Sequence, residues 1–147
     1  MIPKLKSACD PFFGSILLDE LFNDPTKVST IPEVAVMAEA GQTVFSPGDR
    51  PDSIYVLQDG EADIYVQDSR KVNSLSNTVE AGRMYGMVEA VSEGEMWYSM
   101  KTRTKCTFRV LSRHDLLAEL SRDSALCFRL AQILSRMNRE ILSFAVG

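Results

Sequence analysis

Gly41-Gln42-Thr43-Val44-Phe45-Ser46-Pro47-Gly48-Asp49, followed by Asp52-Ser53-Ile54-Tyr55-Val56-Leu57-Gln58-Asp59-Gly60-Glu61-Ala62-Asp63-Ile64-Tyr65-Val66, is the stretch that decides the fold. Short β-branched and aromatic runs are cut by Pro47-Gly48-Asp49 and by Asp59-Gly60, the punctuation of an antiparallel sheet protein. Asp59-Gly60 predicts a hairpin joining Ser53–Leu57 to Ala62–Val66. In the first of these strands Ile54 and Val56 face one way and Tyr55 and Leu57 the other. Both faces are apolar, so the strand belongs at the centre of a two-layer arrangement. Ile64 and Val66 alternate with Asp63 and Tyr65 in its partner.

Working toward the C-terminus, the polar run Gln67 to Asn77 reads as an exposed loop, followed by a short strand to Glu80 and a turn at Ala81-Gly82. Two further strands are expected at about 96–103 and 105–111. No long crossover helix intervenes before Leu111, which disfavours a parallel α/β fold and favours a sandwich or jelly roll. Beyond Ser112-Arg113 the period turns helical: a short helix over His114–Leu120, then a long one from Ser121 to Phe144, with N-cap candidates in Ser121-Arg122-Asp123-Ser124. Leu126, Leu130, Ile133, Met137, Ile141 and Phe144 make one apolar stripe along it. Toward the N-terminus, Asp10-Pro11 followed by Phe13, Ile16, Leu17 and Leu21 at helical spacing predicts a short amphipathic helix over 10–23, stopped by Asn23-Asp24-Pro25. Glu33–Glu39 is compatible with strand or helix on propensity alone.

Composition frames this as one domain. The 147 residues are enough to bury a single core without disulfide or metal support, and 45% hydrophobic with 24% charged residues is ordinary globular content. A net charge of −4 gives no basic excess for a polyanion. Cys9, Cys106 and Cys127 lack C-x-x-C spacing and are expected as buried, reduced thiols in a cytoplasmic protein. No apolar run is long enough to span a bilayer. His114, the only histidine, is expected at a helix start on the surface. Without G-x-S-x-G, H-E-x-x-H or Walker A patterns, enzyme activity and metal binding are not expected. The acidic residues Asp49, Asp52, Asp59, Glu61 and Asp63 read as turn-forming and solvated, and Lys101, Arg103, Lys105 and Arg109 as a solvated strand face.

The order of these motifs, continued by Tyr85-Gly86-Met87-Val88-Glu89-Ala90 and Met96-Trp97-Tyr98-Ser99-Met100, resembles the cyclic nucleotide-binding domain family over about residues 15–143. The resemblance settles Glu33–Glu39 as a strand. It implies a mainly β fold: an antiparallel double-stranded β-helix (jelly roll) spanning 33–111, an N-terminal helical segment in 1–32 and C-terminal helices in 112–147. It also implies a ligand cassette. A cyclic nucleotide needs backbone amides at a helix start, an arginine fork for its phosphate and a carboxylate for its ribose hydroxyl. Laid on the family's Phe-Gly-Glu-Leu-Ala-Leu and Pro-Arg-Ala-Ala-Thr-Val segments, Gly86 keeps the glycine, Met87 stands at the ribose-binding glutamate and Met96 at the phosphate-binding arginine. Trp97 and Tyr98 then replace small residues. Glu89, two positions after the expected carboxylate, reads either as structural or as a pocket group.

Candidate pocket positions are therefore Gly86, Met87, Val88, Glu89, Met96, Trp97 and Tyr98. Either the large residues plug the cavity, or they line it for a less charged ligand. No cofactor is expected beyond a cyclic nucleotide or another small ligand. The terminal helix looks like the one that pairs subunits in cyclic AMP receptor and oxygen-sensing regulators. This gives two readings: a homodimer through Leu130, Ile133, Met137, Ile141 and Phe144, or the same stripe packed on its own sheet. The sequence ends at Gly147, where the family's helix-turn-helix domain would begin, so DNA binding of that kind is not expected of it; a protein partner is.

Overall fold

In a computed structural model the chain is described over residues 15–22 and 31–146, with side chains as far as Arg139 in the last helix. The elements run β1 (Ser15–Leu17), α1 (Leu18–Leu21), β2 (Glu33–Ala38), β3 (Thr43–Phe45), β4 (Ser53–Asp59), β5 (Ala62–Gln67), β6 (Asn73–Thr78), β7 (Arg83–Tyr85), α2 (Met87–Ser92), β8 (Tyr98–Thr102), β9 (Cys106–Ser112), α3 (Arg113–Arg122) and α4 (Ser124–Val146). The strands form two antiparallel sheets, β1-β7-β4-β9-β2 and β3-β8-β5-β6. This is the expected jelly roll with flanking helices.

The five-stranded sheet separates two apolar clusters. On its helical side Ile54, Val56, Met84 and Leu111 meet α1, α2, α3 and α4. On the other side Leu57, Tyr85 and Phe108 meet Phe45, Ile64, Tyr98 and Met100 across the inter-sheet space. Strand β4 lies between β7 and β9, and its alternate residues enter the two clusters as its sequence predicts.

Three expectations are corrected. Asp59-Gly60 does not make a hairpin: β4 pairs with β7 and β9, and β5 with β6 and β8, so the turn carries the chain from one sheet to the other. Gly60 adopts a φ of +97°, and a Cβ there would lie 2.4 Å from the Lys105 carbonyl oxygen. The glycine is thus required by close approach of the β8–β9 connection as well as by left-handed backbone. The true hairpin lies in the stretch read as loop, where β6 begins at Asn73 and pairs with β5. Its Asn-Ser-Leu-Ser-Asn-Thr run is largely exposed and so carries no alternation to betray it. Finally, Ser15–Leu17 is a strand on β7 rather than helix, fixed by the Arg83 guanidinium, which donates to the Ser15 hydroxyl at 2.6 Å and to its carbonyl at 3.0 Å. The helix that follows is only Leu18–Leu21. Asp10-Pro11, Phe13, Asn23-Asp24-Pro25 and Cys9 lie outside the described residues.

Candidate functional site

Strand β7 delivers the chain to Gly86, whose φ of +94° starts α2 in left-handed backbone. The glycine sits hard against β4: a Cβ would lie 2.9 Å from the Ser53 carbonyl oxygen. Only a residue without a side chain fits both conditions. From there α2 turns Met87 and Ala90 into the helical cluster, with Val88 and Val91 packed beside them. Met87 and Val88, two predicted pocket positions, therefore face away from the inter-sheet space.

The remaining positions converge. Met96 is held by backbone bonds on both sides, its amide donating to the Asp49 carbonyl at 2.9 Å and its carbonyl accepting from Gly48 at 2.8 Å. Its side chain enters the inter-sheet cluster beside Tyr98. Tyr98 is wholly buried, and its hydroxyl accepts the Gly86 amide at 3.2 Å. The ring meets Phe45 edge-on at 5.2 Å and Trp97 at 5.0 Å. Glu89 is buried as well, at 3% exposure, under a Trp97 that remains 48% exposed. The Trp97 indole nitrogen donates to Glu89 Oε2 at 2.7 Å, whereas Oε1 has no hydrogen-bond partner.

The electrostatics follow from that burial. Loss of water pushes the Glu89 carboxyl above the ordinary glutamate range, and its own backbone amide and then the Trp97 bond only partly oppose it. Burial, and then the neighbouring Glu89 charge, push the Tyr98 phenol far above its ordinary range, so it stays a neutral hydroxyl. Arg83 is committed to Ser15, Arg103 to Asp63 and Glu61, and Arg113 to the Ala90 carbonyl at 2.8 Å and to Glu93, while the exposed Arg50 lines a shallow cavity with Glu93, Gly94, Glu95 and Arg113. At this turn the Gly86 amide is already bonded to a phenol and the Glu89 carboxyl to an indole. The turn holds no metal-ligand cluster among the described residues.

The sequence matches the cyclic nucleotide-binding domain family over residues 35–123, from β2 through the cassette to α3. This chain belongs to that family. Several solved structures share its fold. The catabolite activator protein of Thermus thermophilus superposes with a TM-score of 0.72 at 22% identity over 86% of this chain and 62% of that one. The N-terminal domain of a transcriptional regulator from Streptomyces coelicolor A3(2) gives 0.68 at 20% identity, covering 83% and 90%. The sensor domain of the transcriptional regulator DNR from Pseudomonas aeruginosa gives 0.69 at 16%, covering 83% and 85%. No curated protein sequence matches significantly.

In this cyclic nucleotide-binding domain the terminal helix packs on its own chain. Leu126, Leu130 and Ile133 are buried in the helical cluster, Met137 packs at its margin, and the side chains of Ile141 and Phe144 lie outside the described residues. Arg129 donates to the Leu21 carbonyl at 2.8 Å and Arg136 pairs with Glu20, tying α4 to α1. The face left to solvent carries Phe128, Ala131, Gln132 and Ser135 and borders a groove of about 480 Å³. No helix among the described residues is long and apolar enough to cross a membrane.

Several residues differ from their sequence reading. Cys127 is exposed, not buried like Cys106, because it lies on the outer side of α4. Arg103 and Arg109 are not merely solvated: the first forks onto Asp63, itself buried, and the second onto Glu33 across β9 and β2. His114 stands exposed in the first turn of α3, as expected. Arg113 was missed altogether. Besides reaching Ala90, its amide donates to the Asp52 carbonyl at 2.9 Å, and nothing local in sequence announces either bond.

Proposed function

We propose that this protein is a non-enzymatic regulatory domain of the cyclic nucleotide-binding type whose cassette binds cyclic AMP and cyclic GMP weakly or not at all. The observation that carries this reading is the occupation of the cassette by its own side chains, with the Tyr98 hydroxyl on the Gly86 amide and the Trp97 indole on Glu89. A cyclic phosphate arriving at Gly86 would have to displace a buried phenol. It would then place its charge near a carboxyl, with Met96 where the family resemblance puts an arginine. Removing one partner of a buried charge-assisted pair costs about 2–5 kcal/mol, or roughly a 30- to several-thousand-fold loss in affinity.

Regulation in this reading passes to the C-terminal helix, which pairs with a second copy. The solvent face of Phe128, Ala131 and Ser135 offers a large ring beside small residues that admit close helix approach, whereas the predicted stripe through Leu130, Ile133 and Met137 lies on the opposite side of the helix, toward the helical cluster. Leu130 and Ile133 are engaged within the subunit and support the helix rather than the contact.

A second reading, an interaction module with a plugged pocket, is favoured by the complete burial of Tyr98 and near-complete burial of Met96. Melting temperature followed during titration with cyclic AMP and cyclic GMP tests the loss of nucleotide binding, because ligand at 100 times its Kd adds about 2.7 kcal/mol of stability. The expected result is a flat curve for the parent and a gain of binding in Met96→Arg, Trp97→Ala. A shift at micromolar cyclic AMP in the parent would overturn the reading.

A further inference from the structure

Glu89 Oε1 is, among the described residues, the buried side-chain oxygen without a hydrogen-bond partner. Buried polar atoms are almost always satisfied, so a bare carboxyl oxygen in the middle of a ligand cassette calls for a function. Its sister oxygen is not bare but holds the N–H of a planar aromatic, Trp97, at 2.7 Å. The two aromatic neighbours differ in freedom: Tyr98 is sealed in the inter-sheet cluster, whereas Trp97 is about half exposed and lies on top of the carboxyl. Trp97 is thus the exposed member of the pair that meets Glu89, and Tyr98 the buried one.

We infer that the Glu89 carboxylate under Trp97 is a seat for a planar ligand presenting two adjacent N–H donors, one taking the place of the indole N–H on Oε2 and the other reaching Oε1. The inference rests on the reading of this cassette as ligand-facing but closed to cyclic phosphates. Trp97 acts as the ligand's internal stand-in, since the group that fills the seat already shows what the seat accepts: a flat ring with an N–H at its edge. A carboxylate takes a planar pair of donors bidentately, a match that no single donor and no anion makes. Two chemistries carry such a pair, the charged amidinium or guanidinium fork and the neutral guanine edge with its ring N–H and exocyclic amine. Both bring a flat face that packs against Tyr98 and the displaced Trp97.

Trp97 is the only tryptophan in the chain, so its emission reports the seat directly. The full chain is titrated with benzamidine and with guanosine, using benzoate and inosine, which lack the donor pair, as matched controls. Melting temperature is followed alongside emission. The expected result is a saturable change with benzamidine, guanosine or both, at least tenfold weaker with the matching control. A response to benzamidine alone assigns a cationic ligand, and one to guanosine alone a base edge. Glu89→Gln, nearly isosteric, should weaken the responding compound at least tenfold. Trp97→Phe, which removes the competing N–H, should bind it more tightly by melting temperature.

No saturable response to either compound in the parent and in Trp97→Phe overturns the proposal, as does equal affinity in Glu89→Gln. Cyclic AMP in a parallel arm keeps the two readings apart. Binding there sinks the loss of nucleotide recognition, while the donor-pair seat stands or falls on benzamidine and guanosine.

Discussion

The two clusters flanking the five-stranded sheet are built from different materials. Toward the helices the side chains are mostly aliphatic, with Ile16, Leu21, Ile54, Val56, Leu116, Leu126, Leu130 and Ile133 closing around Met84 and Met87. Between the sheets the cluster is rich in rings, and hydroxyls join it: Phe45 meets Tyr55 tilted and Tyr98 edge-on, Tyr55 meets Phe108 edge-on, the Tyr85 hydroxyl accepts the Glu80 amide at 3.0 Å and the Tyr98 hydroxyl accepts the Gly86 amide. The first cluster has only volume and shape to lose. The second also has hydrogen bonds and a titrating neighbour, so the same size of substitution produces a different kind of response on the two sides of one sheet.

The largest effect is expected on the aliphatic side. Leu130→Ala should cost about 2–5 kcal/mol in urea unfolding, because the packed helix and sheet collapse only partly around the missing atoms. A loss below 1 kcal/mol would show that α4 does not depend on that cluster. On the ring side, Tyr98→Phe keeps the ring and removes only the hydroxyl, leaving the Gly86 amide unsatisfied at a cost of about 1–3 kcal/mol. No loss would mean that water or another group reaches Gly86 as readily as the phenol does.

A smaller effect, in slope rather than level, is expected at Glu89. Its carboxyl binds a proton more tightly in the folded than in the unfolded chain because burial penalises the charge. Stability linked to that proton is therefore fully present below the unfolded value of about 4.3 and is lost as pH rises through the raised folded value. Glu89→Gln cannot ionise and escapes the loss, so its stability relative to the parent should climb with pH across an unfolding series. A difference that falls with pH would reverse the sign and indicate a cation beside the carboxylate. Smallest of all, Phe128→Glu on the outer side of α4 should change unfolding free energy by no more than about 0.5 kcal/mol. Its sedimentation should nevertheless fall to monomer mass from the dimer of the parent, and equal masses would remove the helix-pairing proposal.

What the sequence made legible follows the same division. Alternation in Ser53–Leu57 was enough to place β4 at the centre, because each of its faces meets its own cluster. Asp59-Gly60 was misread because a hairpin and a sheet-to-sheet corner share the same local turn chemistry, and the difference lies in contact with Lys105 and Cys106, far along the chain. Strand β6 was invisible since its order comes from backbone bonds to β5, which polar side chains do not advertise. The long helix begins at Ser124 because Asp123 caps it, its carboxylate accepting the Leu126 amide at 3.1 Å, and the sequence offered several cap candidates without ranking them. At the cassette, Gly86, Met96, Trp97 and Tyr98 could be located by order alone. That Glu89 turns under Trp97 while Met87 turns away depends on which side of a short helix meets which sheet, and no periodicity in six residues records that.

Arg113 gives the molecule a mechanical property. It is the first residue of α3, yet its guanidinium holds a carbonyl in α2 and its amide holds the strand approach at Asp52. The root of α3 is therefore bonded to α2 as well as packed against it. Any tilt of α2 large enough to strain one hydrogen bond is felt at the root of α3, from which α4 follows directly. Arg113 thus adds directional bonds to a junction that the apolar cluster otherwise holds only by packing.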